Sequence, residues 1–101
     1  MSRNKGRVGE TELVHVLESY GYQVRRGAAF LREPDLLGIP GLHIECKRVE
    51  RLNLEAAMDQ SKRDAKPGEV PVVMHRKNRR PWVVTLSLDD FMRLWGRANG
   101  A

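Results

Sequence analysis

Leu13, Val16, Leu17 and Tyr20 recur at helical spacing, and after Gly21 the chain switches to short apolar runs of strand type. That switch constrains the fold more than any other feature, because it happens again further on. The spacing predicts a helix over about Val8–Tyr20, a short strand at Tyr22–Arg26 and a loop at Gly27-Ala28-Ala29. Asp35–Ile39 and Leu42–Lys47 flank Pro40-Gly41 and read as a hairpin. A second helix is expected over Leu54–Lys66, capped by Asn53 and ended by Pro67-Gly68. Val70–His75 and Trp82–Leu86 read as strands around a basic turn, and Ser87 or Asp89 caps a last helix reaching about Trp95. The order α-β-β-β-α-β-β-α predicts an α/β fold with a central mixed β-sheet flanked by helices.

A chain of 101 residues is expected to form one domain with one modest core. Residues 1–6 and 96–101 are expected to be flexible at its ends. With 41% hydrophobic and 31% charged residues, the composition excludes a disordered tail or a fibre. Eighteen Lys and Arg against 13 Asp and Glu leave a net charge of +5, which suits a polyanionic partner, nucleic acid or a membrane surface. No apolar run is long enough to span a bilayer, and Met1–Gly9 lacks the apolar stretch of a secretory signal. The single Cys46 has no internal disulfide partner, so a reducing cytoplasm is expected, in a bacterial, archaeal or phage-infected cell.

The carboxylates are the informative residues. Glu10 precedes Leu13 by three positions and Leu17 by seven, so it projects from the buried side of the first helix. Favourable interaction with the helix dipole explains a first-turn Glu equally well. If the hairpin turns about Pro40, residues equidistant from it face each other, and Asp35 lies opposite Glu45. Directly opposed Cβ atoms are ~4.5–5.5 Å apart. Two carboxylates at that separation repel by roughly 3 kcal/mol at an effective dielectric of about 20. Such a pair raises one pKa or takes a cation between its members. Alternation puts His43, Glu45 and Lys47 on one strand face and Leu42, Ile44 and Cys46 on the other. A one-residue slip would undo this convergence.

Two or three carboxylates with open water positions suit Mg²⁺ or Mn²⁺. Such an ion acidifies water and offsets phosphate charge, and a neighbouring ammonium stabilises the transition state of phosphodiester hydrolysis. Glu-x-Lys alone is common on surface strands. Its combination with Pro34-Asp35 and an upstream helical Glu10 is far more specific.

At these residues the chain resembles the PD-(D/E)xK nucleases, most closely the archaeal-type Holliday junction resolvases and their phage-encoded relatives. The resemblance rests on Lys5-Gly6-x-x-Gly9-Glu10, Pro34-Asp35-Leu36-Leu37 and Ile44-Glu45-Cys46-Lys47, and spans roughly Lys5–Val84. It implies that Glu10, Asp35, Glu45 and the Cys46 backbone carbonyl hold Mg²⁺, with Lys47 catalytic. It also implies that Gln60 is a supporting residue and that the protein acts on DNA as a homodimer. One departure stands out: the loop before Asp35, Gly27–Arg32, has no serine where the junction resolvases usually carry a catalytic one.

Arginines dominate the basic groups: Arg25 and Arg26, Lys47-Arg48 and Arg51, and Arg76, Lys77, Arg79 and Arg80, with Lys5 and Arg7 near the first helix. Arginine suits bidentate phosphate contact, although a solvated turn or a blunted sheet edge also accounts for Arg76–Arg80. Trp82 and Trp95 read as core residues. His43 faces the carboxylates and is a candidate supporting residue, although an ordinary satisfied or exposed histidine explains it more simply, and no His/Cys spacing suits zinc. The leading reading is therefore a Mg²⁺-dependent nuclease for four-way junctions. Its rivals are a virus-type replication-repair nuclease for forks, nicks or duplex, and a non-catalytic basic nucleic-acid-binding module.

Overall fold

In the computed structural model, residues 2–100 are described, with side chains from 6 to 100. The chain runs through α1 (Ser2–Glu18), β1 (Arg25–Arg26), a 3-10 turn (Ala29–Leu31), β2 (Leu36–Leu37) and β3 (Leu42–Arg48). It continues through α2 (Leu54–Asp64), β4 (Val70–Arg76), β5 (Val83–Thr85) and α3 (Leu88–Ala98). The strands form one mixed sheet in chain order, antiparallel except for the parallel β3–β4 pair. This is the expected α/β architecture.

The parallel pair forces a crossover, and α2 supplies it on one face while α1 covers the other. Leu13 and Leu17 of α1 pack with Leu36, Ile44, Cys46 and Val72. Ala57 and Met58 of α2 pack on Val73. With a helix over each face, β3 is buried on both, and this is why His43 and Glu45 are as hidden as Ile44. Each fully buried Leu, Ile or Val stabilises the fold by roughly 1.5–3 kcal/mol, and Leu13, Leu36, Ile44, Val72 and Val73 together offset polar burial at the sheet centre.

Two glycines set close approaches. A Cβ on Gly9 would lie 2.5 Å from Arg48 Cβ, so at this point α1 approaches the end of β3 too closely for any side chain on position 9. A Cβ on Gly27 would lie 1.8 Å from the Pro34 carbonyl oxygen, and the Gly27 N–H donates to the Asp35 carbonyl at 2.9 Å. That contact holds the segment leading into Asp35 against the end of β1.

Caps fall where the residue types put them. Asn53 accepts from the Ala56 N–H at 3.0 Å and Ser87 from the Asp90 N–H at 3.2 Å. Several boundaries differ from expectation. α1 begins at Ser2 and α3 continues to Ala98, so helix enters both stretches expected to be flexible. Apolar periodicity marks only the part of a helix that packs, and the polar residues before Val8 extend α1 without adding to its stripe. Lys5 lies on that extension, with its side chain outside the described ones. β1 and β2 are two-residue strands, shorter than the runs that suggested them.

Trp95 corrects the reading of a core tryptophan. It is 57% exposed and stacks on Phe91 with ring centroids 6.1 Å apart. No residue of α3 is buried, and its stripe of Leu88, Phe91, Met92 and Trp95 faces outward. Trp82 is half-buried against the core as expected, and its Nε1–H donates to Glu12 at 3.0 Å. Among the described residues, no helix is long and apolar enough to cross a membrane.

Candidate active site

The site is built on the β2–β3 hairpin. Leu36 pairs with Ile44, the register of a turn about Pro40, and one step outward Asp35 stands opposite Glu45. Leu36 and Ile44 point to α1, so Asp35 and Glu45 point to the α2 face, where His43 and Lys47 join them by alternation. A cleft of about 630 Å³ opens there, with Asp35, His43 and Glu45 on its floor and Gln60 of α2 on its wall. Glu33 and Arg32 close it from the loop side.

Each carboxylate is held. The Cys46 N–H donates to Asp35 Oδ2 at 2.8 Å, and His43 Nε2 lies 2.9 Å from Glu45 Oε1. Burial, and then the adjacent Glu45 carboxylate, push the Asp35 carboxyl up to about 6, against the opposing pull of the Cys46 N–H and Lys47. Burial and the surrounding carboxylates push the Cys46 thiol up to about 12, so this thiol is neutral and takes no part as a thiolate.

Glu10 is not part of this pair. It is half-buried on α1, across the sheet, and its Oε1 accepts from Arg26 Nε at 2.9 Å. The physical reason is local: β1 presents Arg26 on the α1 face, and an available guanidinium captures the carboxylate. Among the described residues, no group of three or more His, Cys, Asp and Glu stands close enough to share one metal ion. The donor set nonetheless fits a hard cation such as Mg²⁺, which retains several waters and is commonly held by one or two carboxylates. Asp35 and Glu45 would supply those oxygens beside an open cleft, and a dication there would offset the burial and the neighbouring charge that raise Asp35.

The candidate phosphate-binding residues with described side chains divide into two sets. Arg25 pairs with Glu33 at 3.2 Å, Arg26 with Glu10, and Arg48 approaches Glu12 at 3.6 Å. Arg76 pairs with Glu12 and donates through Nε to the Arg80 carbonyl at 2.6 Å. These four have internal work. Arg7, Arg51, Lys77, Arg79 and Arg80 are exposed, and none pairs with a carboxylate among the described residues.

Three carboxylates with structural roles escaped the sequence reading. Glu12 gathers Arg76, Arg48 and Trp82; burial opposes its charge, but these partners together hold its carboxyl below the usual range. Arg48 Nε is buried without a hydrogen bond, its distance to Glu12 Oε1 being too long for one. Glu33 accepts the Ala28 N–H at 2.9 Å and pairs with Arg25, and these contacts lower its pKa. Glu69 Oε1 lies 3.6 Å from His43 Nδ1. Residue alternation carries a signal for Glu69 alone: once His43 pairs with Pro71, position 69 falls on the same face.

No protein-family model and no curated protein sequence matches the chain. Among solved structures, it is similar to Hjc, a Holliday junction resolvase from the archaeal hyperthermophile Archaeoglobus fulgidus. The TM-score is 0.58 at 24% sequence identity, over 81% of this chain and 72% of that one. The likeness establishes a shared fold.

Proposed function

We propose that the chain is a divalent-metal-dependent DNA endonuclease of the PD-(D/E)xK type that resolves four-way junctions as a homodimer. The observation that carries this reading is the Asp35–Glu45 pair, with the Asp35 carboxyl raised in pKa, lining a cleft with Lys47 on the same strand face. A pure binding module has no use for buried opposed carboxylates inside a positively charged chain. Asp35, Glu45 and the Cys46 carbonyl would hold Mg²⁺, with Mn²⁺ as a substitute. When bound, the ion supplies positive charge against the scissile phosphate and makes water more acidic.

The chain's own residues do the rest. Lys47 sets an ammonium near Asp35, where negative charge grows in the transition state. Gln60, on the opposite wall, orients groups entering the cleft. Arg7, Arg51, Lys77, Arg79 and Arg80 are available for DNA phosphates without breaking an internal pair. Arg26 is different, since engaging a phosphate would release Glu10 from its present partner. Two symmetric incisions require two sites, and the exposed α3 stripe, with Val83 and Val84 on edge strand β5, offers a surface for a two-fold partner.

The serine-free loop before Asp35 favours a second reading, cleavage of forks or duplex by the same chemistry. A cleavage assay in Mg²⁺ comparing a four-way junction, a fork and linear duplex separates the two. Preferential paired nicking of the junction is the expected result. Equal cutting of all three favours the second reading, and no cutting removes both.

A further inference from the structure

We infer that His43 is a positioning residue that fixes the Glu45 carboxylate for cation binding; this rests on the reading of Asp35 and Glu45 as a metal site. His43 and Glu45 are two residues apart on β3, so alternation places their side chains in succession on one face. The imidazole is 2% exposed, and its Nε2 is 2.9 Å from Glu45 Oε1. In the form that binds a cation the Glu45 carboxylate is ionised and only accepts, so there Nε2 carries the hydrogen and donates it. One oxygen of Glu45 is thereby committed to His43, and Oε2 remains for a cation.

Packing alone does not account for an imidazole at this position. The α2 face is filled by Ala57, Met58 and Val73, and a leucine at 43 would continue that surface. A buried imidazole carries two ring nitrogens that lose water, which is costly unless at least one is used. Here one is used on a residue of the proposed site, and the other faces Glu69 Oε1 at 3.6 Å. The ring thus sits between two carboxylates and lines the same cleft as Asp35 and Glu45. Groups that hydrogen-bond a metal ligand from behind set its orientation, and their loss weakens metal affinity.

The experiment is Mn²⁺ titration without DNA, following free Mn²⁺ by electron paramagnetic resonance, for the parent and for His43→Leu, His43→Gln and His43→Asn. Glutamine places an amide N–H near the position of Nε2, whereas asparagine ends near Nδ1 and falls short of Glu45. His43→Leu and His43→Asn should raise the Mn²⁺ Kd by about 10- to 100-fold, with His43→Gln within about threefold of the parent. Thermal melts in chelator establish that each variant is folded. If His43→Leu does not fold, the Gln and Asn variants alone decide. Unchanged affinity in the Leu and Asn variants, or Gln no better than Asn, overturns the positioning role while leaving the metal site in place. A parent that binds no Mn²⁺ overturns the metal site and the positioning role with it.

Discussion

Asp35 carries an electrostatic cost that the Cys46 N–H and Lys47 offset only in part. Burial first, and Glu45 second, raise its carboxyl from 3.8 to about 6. Between those values the folded chain keeps a proton that the unfolded chain releases. Stability therefore falls as pH rises through that window and settles at a lower level above it. Asp35→Asn removes the ionisation, and its amide oxygen can still accept the Cys46 N–H. In chelator, the variant should match the parent near pH 4 and exceed it at pH 7 by about 2 kcal/mol. Melts of the two proteins side by side check this, since Glu12 and Glu33 titrate in both and cancel. A structural ion pair at Asp35 predicts the reverse, a variant weaker at pH 7. Added Mg²⁺ should stabilise the parent and do little for the variant.

Among the elements, the hairpin does most to position the site, and it depends on Gly27. A methyl group there would meet the Pro34 carbonyl at 1.8 Å, a backbone contact that cannot rotate away. Gly27→Ala should destabilise the protein by about 2 kcal/mol or more and shift Asp35 relative to Glu45, seen as a lower denaturation midpoint with weakened Mn²⁺ binding. The hairpin was also the most legible element. Pro40-Gly41 and the apolar alternation set its register, and with it the meeting of Asp35 and Glu45, from residues close in the chain. The parallel β3–β4 pairing was not legible, because a crossover helix leaves its register free until the core forms. Glu69 beside His43 follows from that pairing, and so did not emerge. Glu12 escaped for a related reason: its partners Arg76 and Trp82 are distant in sequence and meet it only across the packed sheet. Glu10 was expected with the other carboxylates, but the sequence alone could not show that Arg26 would reach it first.

The described residues present two surfaces open to a partner, the exposed basic side chains Arg7, Arg51, Lys77, Arg79 and Arg80 and the apolar stripe of α3. Trp95 read as core from its residue type, yet Leu88, Phe91, Met92 and Trp95 form an exposed face that no other described residue covers. A second copy covering that face, with edge strand β5, would give the paired sites that junction resolution requires. Phe91→Glu with Trp95→Glu should leave a folded monomer by sedimentation, binding DNA more weakly and nicking one strand without paired incision. A parent that sediments as a monomer with and without DNA contradicts the two-fold assembly. Cleavage of a labelled four-way junction in Mg²⁺ decides whether Asp35 and Glu45 form the hydrolytic centre. The comparison is between the parent, Asp35→Asn, Glu45→Gln and Lys47→Ala. The parent should cut; both carboxylate variants should bind the junction and leave it intact, and Lys47→Ala should retain Mn²⁺ binding with turnover lowered by about 100-fold or more. Cutting by Asp35→Asn at the parental rate would contradict the assignment.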